Sequence, residues 1–342
     1  MRRRLRAVST FALLLLAGGC GARPPAPPAQ PPESLVWPKP PAGARIRYVR
    51  SVSGPQDAGI ERSFFGRLAD TLFGKSEEFL IRPTGVAGRE GLLYVADPGA
   101  QALWIFDPAN KRFRRVGRLG QEALASPVAV AFGPGDTVFV ADSALKKVFL
   151  VDRDGKLRRT AAEVGLERPA AVAYDEGSGR LYVADSAAHQ VAAYGPDGAR
   201  LLSWGRRGIG EGEFNYPTHL TIDRLGNLLV TDALNFRVQA FDREGRFLWK
   251  MGRPGDGSGD FASPKGIATD SRGHVYVVDA LFDTVQIFER DGTFLLGFGE
   301  RGVRPGQLWL PGGIFISRQD TIYVADSFNQ RVQVFEFLRG AE

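Results

Sequence analysis

Apolar residues occur along most of this chain in short runs separated by turns rich in Gly, Asp, Pro and Ser. Short runs of β-branched and aromatic residues bounded by such turns are typical of β-strands. Six runs share one pattern of two hydrophobic residues, Val, a short side chain and Asp, at residues 93–97, 138–142, 181–185, 228–232, 275–279 and 322–326. The aspartates recur every 43 to 47 residues, which predicts six copies of one structural unit.

Each unit contains more than this one run. A proline-led strand precedes the run, and a β-branched strand such as 237–241 or 331–335 follows it. In units two to five a second turn then leads to a fourth strand, such as 247–252 or 294–299. Four short strands in a period of about 45 residues are typical of a β-propeller blade, so we expect an all-β, six-bladed propeller with four-stranded antiparallel blades.

The repeated pattern resembles the NHL repeat over residues 45–338. Units four and six match it best, with Asn235 and Arg237 in one unit and Asn329 and Arg331 in the other. The remaining units have a different residue in place of Asn. This resemblance implies a closed propeller whose ligands bind at the face that carries the loops between blades.

The sixth unit has only three strands before the chain reaches residue 338, where a tail of 339–342 follows. The missing strand is predicted at the other end of the propeller, because residues 45–53 resemble the fourth strand of the other units. We expect this closing strand to pair with 331–337. Closure of the ring hides a sheet edge that would otherwise stay unpaired.

The N-terminus has the pattern of an export signal. Four arginines in the first six residues precede an apolar stretch at 7–17 that is too short to span a membrane. The small residues before Cys20 resemble the bacterial lipoprotein box, which implies that 1–19 is a signal peptide and that Cys20 is lipidated. Gly21, by the same resemblance, favours the outer membrane. Residues 20–44 contain nine prolines and are predicted to be an extended tether, with the propeller periplasmic or surface-exposed.

Composition narrows the possible functions. Apolar residues make up 44% of the chain, which excludes a disordered protein, and Cys20 is the only cysteine, which excludes an intrachain disulfide. The net charge of +6 includes the four leader arginines, leaving 40 basic against 38 acidic residues. This balance gives no electrostatic reason to expect nucleic-acid binding. We expect a monomer.

The six repeated aspartates should form a ring of carboxylates on the loop face. A metal site or an acid–base site would use such a ring. We favour a structural role, because Asp commonly accepts hydrogen bonds from the turn that follows it. A residue repeated in every blade is expected to stabilise the blade.

Residues that differ between blades are better binding candidates, because loops on a rigid scaffold are where binding groups concentrate. The inner strands mostly start with Gly or Ala, whereas unit four has a histidine there. The candidates on the loop face are Thr218, His219, Lys265, Arg237, Arg331, Asp283 and His189.

Residues 60–74 interrupt the repeats. Ile60, Phe64, Leu68 and Leu72 recur every four residues, which predicts a short amphipathic helix. Because the helix lies in an inter-blade connection, it would either cover the channel or pack against blade edges.

Two functions remain open. The first is a non-enzymatic scaffold that binds an envelope protein or a small ligand through the loop face. The second is a lactonase-like hydrolase or a lyase with its site near His219. A zinc lyase of the amidating type would need three converging histidines, and only His189 and His219 are expected on this face. We therefore predict no metal, no cofactor and no catalytic residue.

Overall fold

The computed structural model describes residues 35–60 and 78–338, all within one compact unit, Ser34–Glu342. The predicted signal peptide, Cys20, the first part of the tether, the helix at 60–74 apart from Ile60, and the tail lie outside the described residues. No helix in the described part is long and apolar enough to cross a membrane.

The described chain starts with strands β1 (Val36–Trp37) and β2 (Ile46–Val52) and then builds the blades in order. Blade one is β3 (Gly85–Arg89), β4 (Leu92–Asp97), β5 (Ala102–Asp107) and β6 (Arg112–Val116). A small hairpin of β7 (Arg118–Leu119) and β8 (Glu122–Ala123) follows. Blade two is β9 (Pro127–Phe132), β10 (Thr137–Asp142), β11 (Lys147–Asp152) and β12 (Leu157–Ala162).

Blades three to six continue the same antiparallel order. Blade three is β13 (Pro169–Asp175), β14 (Arg180–Asp185), β15 (Gln190–Tyr194) and β16 (Arg200–Trp204). Blade four is β17 (Pro217–Ile222), β18 (Leu228–Asp232), the 3-10 turn η1 (Ala233–Asn235), β19 (Arg237–Phe241) and β20 (Phe247–Met251). Blade five is β21 (Pro264–Thr269), β22 (Val275–Asp279), β23 (Thr284–Phe288) and β24 (Phe294–Phe298). Blade six supplies β25 (Ile314–Ile316), β26 (Thr321–Asp326) and β27 (Arg331–Phe337).

The ring closes as the sequence predicted. Strand β2 is the fourth strand of blade six and pairs antiparallel with β27, with Tyr48 opposite Phe335. Strand β1 adds a fifth strand outside β2, and the Trp37 ring contacts Phe335 at 5.8 Å and Phe298 at 6.0 Å between centroids. The last part of the segment predicted to be a tether therefore lies against the propeller. Val36 and Trp37 of β1 add apolar contact there.

The first strand of each blade lines the axis, and neighbouring first strands lie against one another around the ring. Their backbones come so close that a side chain would collide. A Cβ on Gly85 would lie 2.7 Å from Ala129 Cα, and a Cβ on Gly266 would lie 2.6 Å from Ile314 N. Crowding at the axis thus explains the small residues that start the inner strands, as predicted.

Candidate functional site

The two ends of the axial channel carry different chain segments. One end, the loop end, carries the starts of the inner strands, the turns after the repeated aspartates and the loops between blades. The other end, the turn end, carries the turns between the first and second strands of each blade. All seven predicted binding residues come from segments of the loop end.

The repeated aspartates at the loop end have a structural role. All six are fully buried, at residues 97, 142, 185, 232, 279 and 326. The carboxylate of Asp142, for example, accepts hydrogen bonds from the backbone N–H groups of Ala125 at 2.8 Å, Ser126 at 3.0 Å and Leu145 at 3.0 Å. Each aspartate joins the preceding inter-blade loop to its own turn or strand. The predicted turn-capping role is confirmed, and it extends to the loop.

Arg237 and Arg331 hold loops in place. The Nε of Arg237 donates to Asp232 at 2.8 Å, and its two Nη atoms donate to the backbone carbonyls of residues 209, 210 and 213. Arg331 makes the same set of bonds to Asp326 and to the carbonyls of residues 303, 304 and 307. Burial raises the pKa of Asp232, and its bonds to Arg237, Asn235 and the backbone act in the opposite direction. These guanidinium groups bind the scaffold's own loops.

Asp283 and His189 occupy the same position of their turns, both with positive φ, at 52° and 53°. His189 Nδ1 accepts a hydrogen bond from the backbone N–H of Tyr216 at 3.1 Å. Asp283 Oδ1 accepts one from the backbone N–H of Leu310 at 2.6 Å, and burial raises the pKa of its carboxyl group. Both side chains fasten a turn to the inter-blade loop that follows. Four of the seven candidates therefore stabilise loops.

The other three candidates lie near the starts of the inner strands of blades four and five, and these two strands adjoin. His219 is paired across the sheet with Thr231, and residues directly opposite in an antiparallel pair share one face. Lys265 lies on the inner strand of blade five, close enough for its charge to act on His219. In blades one to three the corresponding cross-strand pairs contain only Gly and Ala. Blade four has replaced small apolar residues with polar ones.

Several polar atoms in this group are buried without a partner. Thr218 Oγ1, His219 Nδ1 and Thr231 Oγ1 make no hydrogen bond within the described part of the chain. There, the other buried side-chain atoms without a partner are three tryptophan indole nitrogens. An unpaired buried hydroxyl costs about 1–3 kcal/mol, so this channel-mouth cluster of Thr218, His219, Thr231 and Lys265 is a costly arrangement for a purely structural role.

Electrostatics limit what the channel-mouth cluster can do. Burial, assisted by the charge of Lys265, lowers the pKa of His219 to about 3, so its imidazole is neutral at physiological pH. Burial also lowers the pKa of Lys265, and the charge of Asp279 acts against this shift. A neutral imidazole, two hydroxyls and an ammonium group can hydrogen-bond an oxygen-bearing ligand. A histidine with so low a pKa is a weak general base.

The loop end also exposes large apolar side chains, which were not among the residues predicted from the sequence. Leu234, Leu281 and Phe328 stand two residues after the repeated aspartate in blades four, five and six, and are 55%, 63% and 47% exposed. Blades two and three have alanines at this position. The difference between large and small residues is visible when the repeats are aligned. The apolar crescent is the surface formed by Leu234, Leu281, Phe328, Trp309 and Ile81. The Trp309 ring contacts Phe328, and Ile81 lies over Gly99 of blade one.

A cavity of about 520 Å³ opens at the turn end of the channel, which the sequence did not predict. His274 lies near this end, as expected, with Nδ1 2.6 Å from the Asp270 carboxylate. In the described part of the chain, no group of three or more His, Cys, Asp or Glu side chains is placed to hold a metal ion.

The sequence matches no protein-family model and no curated protein. Solved structures share the fold. Virginiamycin B lyase from Staphylococcus aureus is 13% identical with a TM-score of 0.57, over 75% of this chain and 95% of that chain. A gluconolactonase from Xanthomonas campestris is 16% identical with a TM-score of 0.59, over 76% and 87%. A chain of a nidogen/laminin complex is 18% identical with a TM-score of 0.54, over 72% and 88%. Enzymes and a protein complex share this propeller, so the fold does not select a function.

Proposed function

We propose that this chain is an exported, lipid-anchored NHL-type propeller that binds a partner protein through the apolar crescent at its loop end. The observation that carries this proposal is the exposure of Leu234, Leu281 and Phe328 at one position of three successive blades. Exposed apolar patches on soluble domains mark interaction surfaces more often than single exposed residues do.

The scaffold beneath the crescent is rigid, which favours binding. The long loops 205–216, 252–263 and 299–310 each bury an apolar side chain completely: Phe214, Phe261 and Leu308. Phe214 packs on Phe241 and Phe261 packs on Phe288, with ring centroids 5.5 and 5.6 Å apart. Loops that are already ordered lose little entropy on association, so more of the contact energy remains as affinity.

Charge around the crescent indicates the partner's chemistry. The Arg82 guanidinium lies over the Phe328 ring at 5.6 Å and has no salt bridge to a described residue. Arginine and aromatic side chains are enriched among the residues that dominate binding energy at interfaces. We infer a partner segment with apolar anchor residues flanked by carboxylates.

The location follows from the N-terminal sequence. A basic head, an apolar stretch and Cys20 support export and lipidation, and Gly21 supports outer-membrane sorting. The proline-rich segment after Cys20 would let the propeller reach a partner in the periplasm or at the cell surface, as a monomer. Loss of membrane association in Cys20→Ser would test the anchor.

Site-specific photo-crosslinking in the native envelope tests the crescent. A benzophenone amino acid in place of Leu281 should give one discrete adduct, and the same group in place of Leu225, which is 66% exposed at the turn end, should not. Adding Phe328→Ala or Leu234→Asp should reduce the Leu281 adduct about tenfold, because each removes part of the apolar contact. Equal adducts at both positions, or an adduct unaffected by these changes, would contradict the proposal.

A second candidate function is a hydrolase or lyase that uses the channel mouth. The unpaired polar atoms of Thr218, His219 and Thr231 beside Lys265 favour it, since polar groups left unpaired in one structure can pair with a ligand. Turnover of lactones or esters by the purified chain, abolished by His219→Ala and retained in Phe328→Ala, would establish this function. The low pKa of His219 favours binding over acid–base catalysis.

A further inference from the structure

The cavity at the turn end has an apolar floor contributed equally by the whole ring. One aliphatic side chain from each inner strand lines it, and all six are buried: Val86, Val130, Val172, Leu220, Ile267 and Ile314. Closer to the mouth, the wall includes Phe132, Tyr174, Ile222, Phe315 and Ile316. The Phe132 and Phe315 rings contact each other edge to face at 5.8 Å.

The size of the cavity fits a small organic molecule. The volume of about 520 Å³ falls within the range of about 300–1,000 Å³ that is typical of small-molecule sites. Water is a poor occupant of the floor, because aliphatic side chains offer it no hydrogen bonds, and an apolar group would remove this surface from water.

The rim supplies charged groups, and most are already paired. Asp175 accepts hydrogen bonds from Arg243 Nε at 2.8 Å and from the Ser178 hydroxyl at 2.7 Å. Arg89, by contrast, has no ion pair with a described carboxylate. Its guanidinium lies 4.2 Å from the centre of the Phe132 ring, which orients it and covers one of its faces. Glu90, the next residue, is exposed in a turn with positive φ.

An ion pair between described residues spans the mouth. Glu176 belongs to the first turn of blade three and Arg318 to that of blade six, which are opposite blades of the ring, and their Oε2 and Nη2 atoms are 3.1 Å apart. The side chains are 57% and 81% exposed. Exposed pairs of this kind contribute at most about 1 kcal/mol, so the pair is readily exchanged for another partner.

We propose that this cavity binds a small amphiphile with an apolar body and one carboxylate. The body fills the floor formed by the six aliphatic side chains. The carboxylate pairs with Arg89 and takes the place of Glu176 beside Arg318. This binding site lies at the opposite end of the channel from the apolar crescent and does not depend on the partner proposed above.

Calorimetry with three ligands of equal chain length, decanoate, decanol and decylamine, tests the proposal. The protein is the full chain. Decanoate should bind with one-to-one stoichiometry, and decanol and decylamine at least about tenfold more weakly. Tighter binding of decylamine would show that the rim carboxylates dominate, and it would overturn the proposal, as would equal binding of decanoate and decanol.

Variants locate the binding groups. Arg89→Gln should weaken decanoate binding about tenfold and leave decanol unchanged, because only the carboxylate loses a partner. Arg158→Gln, which changes an exposed arginine outside the cavity, is the matched control and should have no effect. Glu176→Gln should tighten decanoate binding severalfold, because it frees Arg318.

Filling the cavity gives an independent test. Ile222→Trp, near the mouth, should abolish decanoate binding while an unchanged melting temperature shows that the ring is intact. Unaltered binding in this variant, or no binding of decanoate to the folded wild type, would overturn the proposal. Phe328→Ala should leave decanoate binding unchanged, which separates this site from the loop end.

Discussion

The two ends of the channel are built from the same six repeats and yet differ in polarity. At the loop end, buried ion pairs fasten the loops, and three buried polar side-chain atoms have no partner among the described residues. At the turn end, aliphatic side chains surround a cavity, and one exposed ion pair spans its mouth. Along the inner strand of blade five the change takes three residues, from Lys265 at the loop end to Ile267 in the cavity floor. A few substitutions on inner strands are therefore enough to give one symmetric scaffold two different sites.

The largest expected effect concerns the ion pairs of the two ends. Arg237→Ala leaves the fully buried Asp232 carboxylate without its cation, and we expect a loss of about 3–5 kcal/mol in the free energy of unfolding. Arg318→Ala at the turn end should cost less than about 1 kcal/mol, since both partners are exposed. Urea denaturation of both variants measures the difference. Equal losses in the free energy of unfolding would show that the ion pairs at the two ends contribute equally to stability.

The next effect is a pH dependence that arises from His219 at the loop end. Because burial lowers the pKa of His219 from 6.5 to about 3, the unfolded chain binds a proton between these pH values that the folded protein does not bind. The contribution of His219 to stability is therefore complete above pH 6.5 and is lost progressively as the pH falls towards 3, by an amount on the order of a few kcal/mol.

Unfolding free energies of wild type and His219→Ala, compared across this pH range, measure that contribution. The difference between the two proteins should be constant above pH 7 and should shift in favour of the variant at lower pH. A difference independent of pH would show that His219 titrates as in water and that the channel mouth is well hydrated.

The smallest effect concerns one hydroxyl. Thr231 Oγ1 is buried and unpaired, and blade five has Val278 at the same position. Thr231→Val keeps the shape and removes the unpaired group, so we expect a gain of about 1 kcal/mol in the free energy of unfolding. Thermal melts of the ligand-free protein provide the measurement. A lower melting temperature would mean that the hydroxyl has a bonding partner, and the contrast between the two ends would then be weaker.

Much of the architecture could be read from periodicity. The number of blades, the closing strand and the structural role of the aspartates follow from the repeat, because a unit that cannot bury its own apolar faces must stack on its neighbours. The pairing of β2 with β27 was predictable since a three-stranded last blade leaves one edge open. The addition of β1 was not, because a strand of two residues within a proline-rich segment shows no strand period.

The candidate site was only partly predictable. The sequence predicted that Arg237, Arg331, Asp283 and His189 lie on the loop face. It could not show that each side chain is hydrogen-bonded to a loop about 27 residues away. It also marked His219 as an exception to the small residues at the axis, and the structure shows the unpaired atoms that result. The apolar crescent was visible in the repeat alignment, although its exposure was not.

Repetition along the chain was enough to establish a closed ring of six blades, because every repeat carries the same second strand and aspartate, and the strand missing from the sixth repeat precedes the first. Assembly in three dimensions established which side chains face one another across the axis. Glu176 and Arg318 are 142 residues apart and meet only because blades three and six are opposite each other. No local pattern encodes such a contact, since it depends on the curvature summed over all the blades between them.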